Sequence, residues 1–365
     1  LNLFFLTSDL GANDAAEQLA LLVCSLPRDR FSVTVGVLDS AGGVAAESIR
    51  AAGIAVHTLP VRGALDFSGM RKLRRAVQDS HAKVIHAFGA AAVRAARVCV
   101  VRSGENYSPR VIATNALDTQ GGLSGWFTSS QVRRADRVIA TGWGEGEAYQ
   151  KLRVPGERLT RIPPAIVPPQ TVPDRAAFCE EVNAPANARF IFAGGKLDAA
   201  HGTKDAVTAF DMLRYISPQF QLVLTGDGPE RTLAEQLGRA LAFDDFRIRF
   251  TGSRGNIGEL TQLAEQVWVT CARGGELLAL RGMAAGKPVI AFETRELADI
   301  IDDGITGYLV PPSDRAAMAT KAQMLFAYPE NAARMGEAGR ARAAERFGLT
   351  RLIEQHERVY RELTE

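Results

Sequence analysis

One rhythm constrains the fold more than any other feature. Short apolar runs, each the length of one strand, alternate with longer segments whose apolar residues recur at helical spacing. A parallel sheet covered by helices on both faces needs this pattern, because its strands are buried on both sides and each crossover is helical. In the first half the runs are Leu3 to Leu6, Phe31 to Leu38, Ala55 to Leu59, Lys83 to His86, Arg110 to Ala113 and Arg137 to Ala140. In the second half they are Phe190 to Ala193, Gln221 to Thr225, Arg247 to Thr251, Val267 to Thr270, Pro288 to Ala291 and Gly307 to Val310. Between the two sets, Arg161 to Asp174 holds five prolines, which neither continue a helix nor join a central ladder.

The expectation is an α/β chain of two doubly wound, Rossmann-like domains facing each other across a cleft. Residues 1–165 form the first domain and 166–345 the second. Residues 346–365 form a helix, after a break near Phe347 and Gly348, that packs back on the first domain. A length of 365 residues agrees, since one hydrophobic core rarely serves so long a chain.

Charge excludes some partners. The 43 basic and 41 acidic residues are mixed along the length, so no strong field gathers nucleic acid. Arg71, Lys72, Arg74 and Arg75 share one segment and leave a peripheral membrane contact open, although a solvated helix face explains them as well. The four cysteines, Cys24, Cys99, Cys179 and Cys271, form no C-x-x-C and sit among apolar residues, which reads as buried thiols in a cytoplasmic protein. The opening Leu1 to Leu6 reads as a first strand, being too short for a leader or a spanning helix.

In open α/β sheets, ligands bind beyond the carboxyl ends of the strands, where glycine loops and helix N-termini approach phosphate. The loop after the first strand carries Gly11 but no G-x-G-x-x-G fingerprint, which argues against a nicotinamide or flavin cofactor. The second half opens with Gly194-Gly195-Lys196 and runs on to His201-Gly202-Thr203-Lys204 before a helix, a segment able to hold a diphosphate. Gly226-Asp227-Gly228-Pro229-Glu230 is a second strand, turn and helix start, and Arg231 follows it.

Taken together and in order, several segments resemble the group 1 family of retaining, nucleotide-sugar-dependent glycosyltransferases with the GT-B fold. They are Ala135 to Ala140, Val154 to Leu159 into Ile162-Pro163, Gly226 to Glu230, Met283 to Ile290 and Asp303 to Pro312. The resemblance implies a nucleotide-diphosphate sugar as donor substrate, held mainly by the second domain and needing no cofactor or metal. It also implies a glycan or lipid-linked acceptor on the first domain, and a cytoplasmic site of action, at the inner face of a membrane where the acceptor is a lipid. Gly11, Gly195, Lys196, His201, Gly226, Arg273 and Arg281 take the donor-binding positions, with Arg231 and Lys287 near the diphosphate.

The pattern also departs from the family. Lys196 and His201 replace its usual Arg and Lys, and a histidine is a weaker cation at neutral pH. The family's paired glutamates fall on Arg273 and Arg281, with Glu276 placed to substitute for the first. Its catalytic histidine falls on Asn115 or Ala116, so Asn115, Asp118 and Glu276 are the catalytic candidates. His86 keeps an earlier family histidine. Asp14-Ala15, Pro164-Ala165 and Arg295-Glu296 stand where the family has glycine. Two readings stay open: a divergent glycosyltransferase, or a catalytically degenerate relative that binds a partner. A nucleotide-sugar epimerase ranks below both, with only five histidines in the chain.

Overall fold

A computed structural model describes residues 1–11, 13–61, 66–101, 108–117, 122–213, 215–242 and 247–365, without the side chains of 101, 122–124 and 242. The chain divides into two compact units, Leu1–Pro164 together with Leu349–Glu365, and Ala165–Gly348.

In the first unit the strands are β1 (Asn2–Thr7), β2 (Ser32–Val37), β3 (Ala55–Thr58), β4 (Val84–Phe88), β5 (Arg110–Thr114), β6 (Arg137–Ala140) and β7 (Leu159–Arg161). They pair in parallel in the order β3-β2-β1-β4-β5-β6-β7. In the second unit β8 (Arg189–Gly194), β9 (Phe220–Thr225), β10 (Ile248–Gly252), β11 (Ala264–Val269), β12 (Val289–Phe292) and β13 (Gly307–Val310) form a parallel sheet in the order β10-β9-β8-β11-β12-β13.

The apolar runs become strands because both faces of each sheet are covered. On one face of the first sheet Phe4, Leu6, Ile85, Val111 and Val138 pack with Leu73 and Val77 of helix Phe67–Asp79. In the second unit, Phe190, Phe192 and Val267 face one core, and Ile191, Leu222 and Trp268 the other. Helix Glu276–Ala284 lies directly on β11, and a β-carbon at Gly282 would stand 2.9 Å from the Val267 Cγ2.

One strand was not expected. β7 has three half-buried residues and no apolar run, yet it pairs with β6, so the proline-rich stretch begins after a ladder rather than at Arg161. From 162 to 174 the chain forms neither helix nor strand beyond one bridge between Ile166 and Gly348. Helix Pro329–Phe347 ends at Gly348, where the backbone is extended, and helix Leu349–Glu362 follows. The latter is strongly amphipathic, burying Leu352, His356, Val359 and Tyr360 in the first unit. Cys99, Cys179 and Cys271 are buried free thiols and Cys24 is half-buried.

Candidate functional site

A doubly wound sheet opens a crevice where successive crossovers leave in opposite directions. In the second unit that point lies between β8 and β11. Gly194 ends β8 and Gly195 follows it, with φ of 122° and 118°, conformations that favour glycine. Gly226, after β9, has φ 90°, and a β-carbon there would fall 1.8 Å from the Gly195 carbonyl oxygen. Only glycine lets these two turns cross.

From Gly195 the chain runs through Lys196 to Asp198, which caps the short turn Ala199–His201. Asp198 Oδ1 accepts from the backbone N–H groups of Ala200 (3.0 Å) and His201 (3.1 Å), and lies 2.7 Å from His201 Nδ1. Lys196 Nζ stands 3.6 Å from Asp198 Oδ2. Burial alone would raise the Asp198 carboxyl, but the hydrogen bonds and charge of His201, with Lys196 beyond, hold it below the usual range. Gly202, at φ 64°, then starts helix Thr203–Leu213, and the buried Thr203 hydroxyl has no hydrogen-bond partner.

The segment after β11 is fastened to this turn. Ala272 N–H donates to the Ala200 carbonyl (2.8 Å) and the Thr270 hydroxyl to the His201 carbonyl (3.0 Å). Arg273 is exposed, and Gly274 and Gly275, both at positive φ, lead into helix Glu276–Ala284. His201 Nε2 and Glu276 Oε2 lie 3.8 and 3.9 Å from the point a Gly274 β-carbon would take. The β8 and β11 loops therefore bring Gly195, Lys196, Asp198, His201, Arg273 and Glu276 to one crevice. Arg281 is set back by about 7.5 Å along the helix from Glu276 at 1.5 Å per residue. Lys287 does not join them. It precedes β12, at the amino ends of the parallel strands, where burial lowers its pKa and the neighbouring charges are Glu265, Arg340 and Arg175. Arg231 is engaged with Glu235 (3.3 Å) and Asp227 (3.9 Å).

In the first unit the crossover point lies between β1 and β4. After β1, Asp9 Oδ1 accepts from Gly11 N–H (3.0 Å) and Asn13 Nδ2 (2.9 Å), and Asn13 caps helix Asp14–Ser25. Gly11 thus belongs to the first unit and the other donor-binding candidates to the second. Asn115 follows β5 in a left-handed conformation, φ 51°, with its Oδ1 3.3 Å from the Thr141 hydroxyl. The next residue, Ala116, donates its N–H to the Tyr149 hydroxyl (2.8 Å), which donates to Glu145 Oε1 (2.6 Å). Glu145 Oε2 accepts from Thr141 N–H (2.7 Å), and burial raises this carboxyl against the hydrogen bonds that stabilise its ionised form. Asp118 lies outside the described residues. His86 is fully buried, bonded to Tyr360 and Thr114, and desolvation keeps it neutral, so its place is in the core.

Sequence reasoning passed over Asp198 and the Glu145–Tyr149 pair. A signal existed for both: an Asp three residues before His is a capping spacing, and Glu145 and Tyr149 are one helical turn apart. Among the described residues no group of three or more His, Cys, Asp or Glu is arranged to hold a metal ion.

Comparison with known proteins agrees along both units. Residues 15–168 match the family described as Glycosyltransferase Family 4, and residues 187–327 the one described as Glycosyl transferases group 1. The putative glycosyltransferase EpsD of Bacillus subtilis (strain 168) is 33% identical over 170 residues, 45% of this chain and 43% of that protein. The alpha-D-kanosaminyltransferase of Streptomyces kanamyceticus is 28% identical over 251 residues, 66% of this chain and 64% of the relative. In both cases the match spans less than two thirds of the relative. Among solved structures, Anabaena Alr3699/HepE in complex with UDP and glucose superposes with a TM-score of 0.83 at 18% identity, covering 98% of each chain. WaaG, a glycosyltransferase involved in lipopolysaccharide biosynthesis, does so with a TM-score of 0.72 at 14% identity, again covering 98% of each.

Proposed function

The chain is a two-domain protein of the group 1 glycosyltransferase type with the GT-B fold, and we propose that it transfers a sugar, with retention of configuration, from a nucleotide-diphosphate sugar to a glycan or lipid-linked acceptor. The observation that carries this reading is the β8–β11 crevice, where Lys196 and His201 meet crossed glycine turns and the carboxylate of Glu276.

Transfer breaks the bond between the anomeric carbon and a donor diphosphate oxygen, which keeps the electron pair, while an acceptor hydroxyl oxygen bonds the anomeric carbon and its proton passes to the departing diphosphate. Cationic side chains and backbone amides must meet that charge as it develops. In this reading Lys196, His201 and the amides around Gly195 and Gly226 bind the diphosphate, with Arg273 at the rim. Glu276 offers a negative charge to the oxocarbenium-like sugar, and Arg281, unable to accept from a hydroxyl, serves as an anion ligand. The acceptor is assigned to the first unit, which also carries the catalytic candidates Asn115 and Asp118 and the donor-binding candidate Gly11.

UDP-sugars are the donors to try first, because the HepE neighbour is described with UDP and glucose. No described helix is long and apolar enough to cross a membrane. A cytoplasmic enzyme reaching a lipid-linked acceptor would use a peripheral contact, for which exposed Arg71, Lys72 and Arg75 on helix Phe67–Asp79 are the candidates. The test is donor hydrolysis and transfer across a panel of nucleotide sugars. Release of one nucleoside diphosphate above background, lost in Glu276→Gln, supports the reading. Nucleotide binding without release from any donor would leave a degenerate binding protein instead.

A further inference from the structure

His201 stands at the donor crevice, and its ring is not free to choose its proton. Nδ1 lies 2.7 Å from Asp198 Oδ1, an oxygen that already accepts two backbone N–H groups. An ionised carboxylate can only accept, so the first ring proton sits on Nδ1. A neutral His201 then presents a lone pair at Nε2, and that lone pair repels a phosphate oxygen. Resting on the donor-binding reading above, we propose that Asp198 is a positioning residue that makes His201 a proton-gated diphosphate ligand, able to donate from Nε2 only as the imidazolium.

The charges around the ring come from several elements. On its own loop His201 faces Asp198, with Lys196 behind it at 3.6 Å from the carboxylate. Across Gly274 it faces Glu276, and Arg273 on that turn is exposed. Of the charges on neighbouring elements, Lys204 is paired with Glu230 at 3.0 Å, Asp205 with Arg315 at 2.6 Å, and Asp227 lies 3.9 Å from Arg231. The ionised state of Asp198 agrees, since the bonds and charge around it outweigh its burial. A diphosphate adds negative charge beside Nε2, so binding takes up a proton, and affinity must fall as pH rises.

The test is calorimetric titration of the full chain with UDP and with GDP between pH 7 and 9, where the terminal phosphate, with a pKa of about 6, is already ionised. Wild type should lose affinity as pH rises across this window. His201→Lys, charged throughout, should bind at least as tightly as wild type at pH 7 and stay flat across the window. His201→Gln should be weak and flat, and Asp198→Asn, which keeps a capping side chain, should move the fall to lower pH. A flat wild-type profile, or an unchanged slope in His201→Lys, overturns the proposal. If neither nucleotide binds any of these proteins, the donor reading fails, and nitrogen chemical shifts of unliganded wild type at pH 9 decide the role of Asp198. A neutral ring protonated at Nδ1 supports it, and one protonated at Nε2 overturns it.

Discussion

The hydroxyl of Tyr360 lies 2.8 Å from Nδ1 of His86, so the last helix of the chain is hydrogen-bonded to the middle of the first sheet. Both residues are fully buried, and His86 Nε2 is taken by Thr114 at 2.8 Å. Phe5 and Phe31 pack edge-on against the Tyr360 ring. Tyr360→Phe keeps that packing and leaves a buried ring nitrogen without its partner, a loss of about 1–3 kcal/mol. Urea denaturation followed by far-UV circular dichroism should show this as a lower midpoint with an unchanged slope. An unaltered midpoint would mean that the bond contributes nothing to stability.

Acid should loosen the same region. Desolvation holds His356 near a pKa of about 4 and His86 well below the usual 6.5, so both are neutral in the folded chain at pH 7. The unfolded chain binds their protons near 6.5, so it holds more protons than the fold between about 6.5 and 4. Stability from these rings is complete above that window and lost as pH falls through it, at about 3 kcal/mol for His356 alone. Denaturation midpoints from pH 7 to 4.5 should fall less steeply in His356→Leu than in wild type, and equal slopes would contradict the assignment.

The turn that follows β5 depends on a buried carboxyl. Glu145 holds Tyr149, Tyr149 holds the Ala116 N–H, and Asn115 takes a left-handed backbone beside them. Tyr149→Phe strands the Ala116 amide and one Glu145 oxygen together, and should cost about 2–4 kcal/mol. Thermal melting measures the cost, and amide hydrogen exchange at Ala116 should accelerate beyond the global change. Protection at Ala116 equal to wild type would show that the network does not hold this turn.

Gly226 tests the crossing of the β8 and β9 turns. Alanine there would combine a positive φ with a β-carbon 1.8 Å from the Gly195 carbonyl oxygen, so the two turns must separate. The expected loss is about 3 kcal/mol, with UDP binding lost even where the protein stays folded. Gly53→Ala is the control, since its φ is similarly positive at 74° but nothing lies within 4 Å of the new atom. Equal effects of the two substitutions would rule out the crossing as the cause.

How much was legible in the sequence follows from where each residue's partners lie. β1, β4 and β8 announce themselves because burial on both faces leaves continuous apolar runs such as Leu3 to Leu6. β7 does not, because Leu159–Arg161 is a short edge strand held by backbone bonds that carry no side-chain signature. Gly195, Gly226 and His201 are visible as glycine loops and as positions in a family register. That the two glycines cross, and that Asp198 grips His201, depends on the fold bringing three loops together. Lys287 shows the reverse case. Its position beside a strand is plain from the sequence, but its order before β12 puts it at the end of the sheet away from the crevice.

In the proposed function the β8–β11 crevice holds the diphosphate of a nucleotide-sugar donor. The most direct measurement is a crystal structure of the protein soaked with UDP at saturating concentration. Phosphate oxygens should lie within hydrogen-bonding distance of Lys196 and His201, over the amides of the Gly195 turn. A crevice empty under those conditions, or a nucleotide bound with its phosphates away from both side chains, would contradict it.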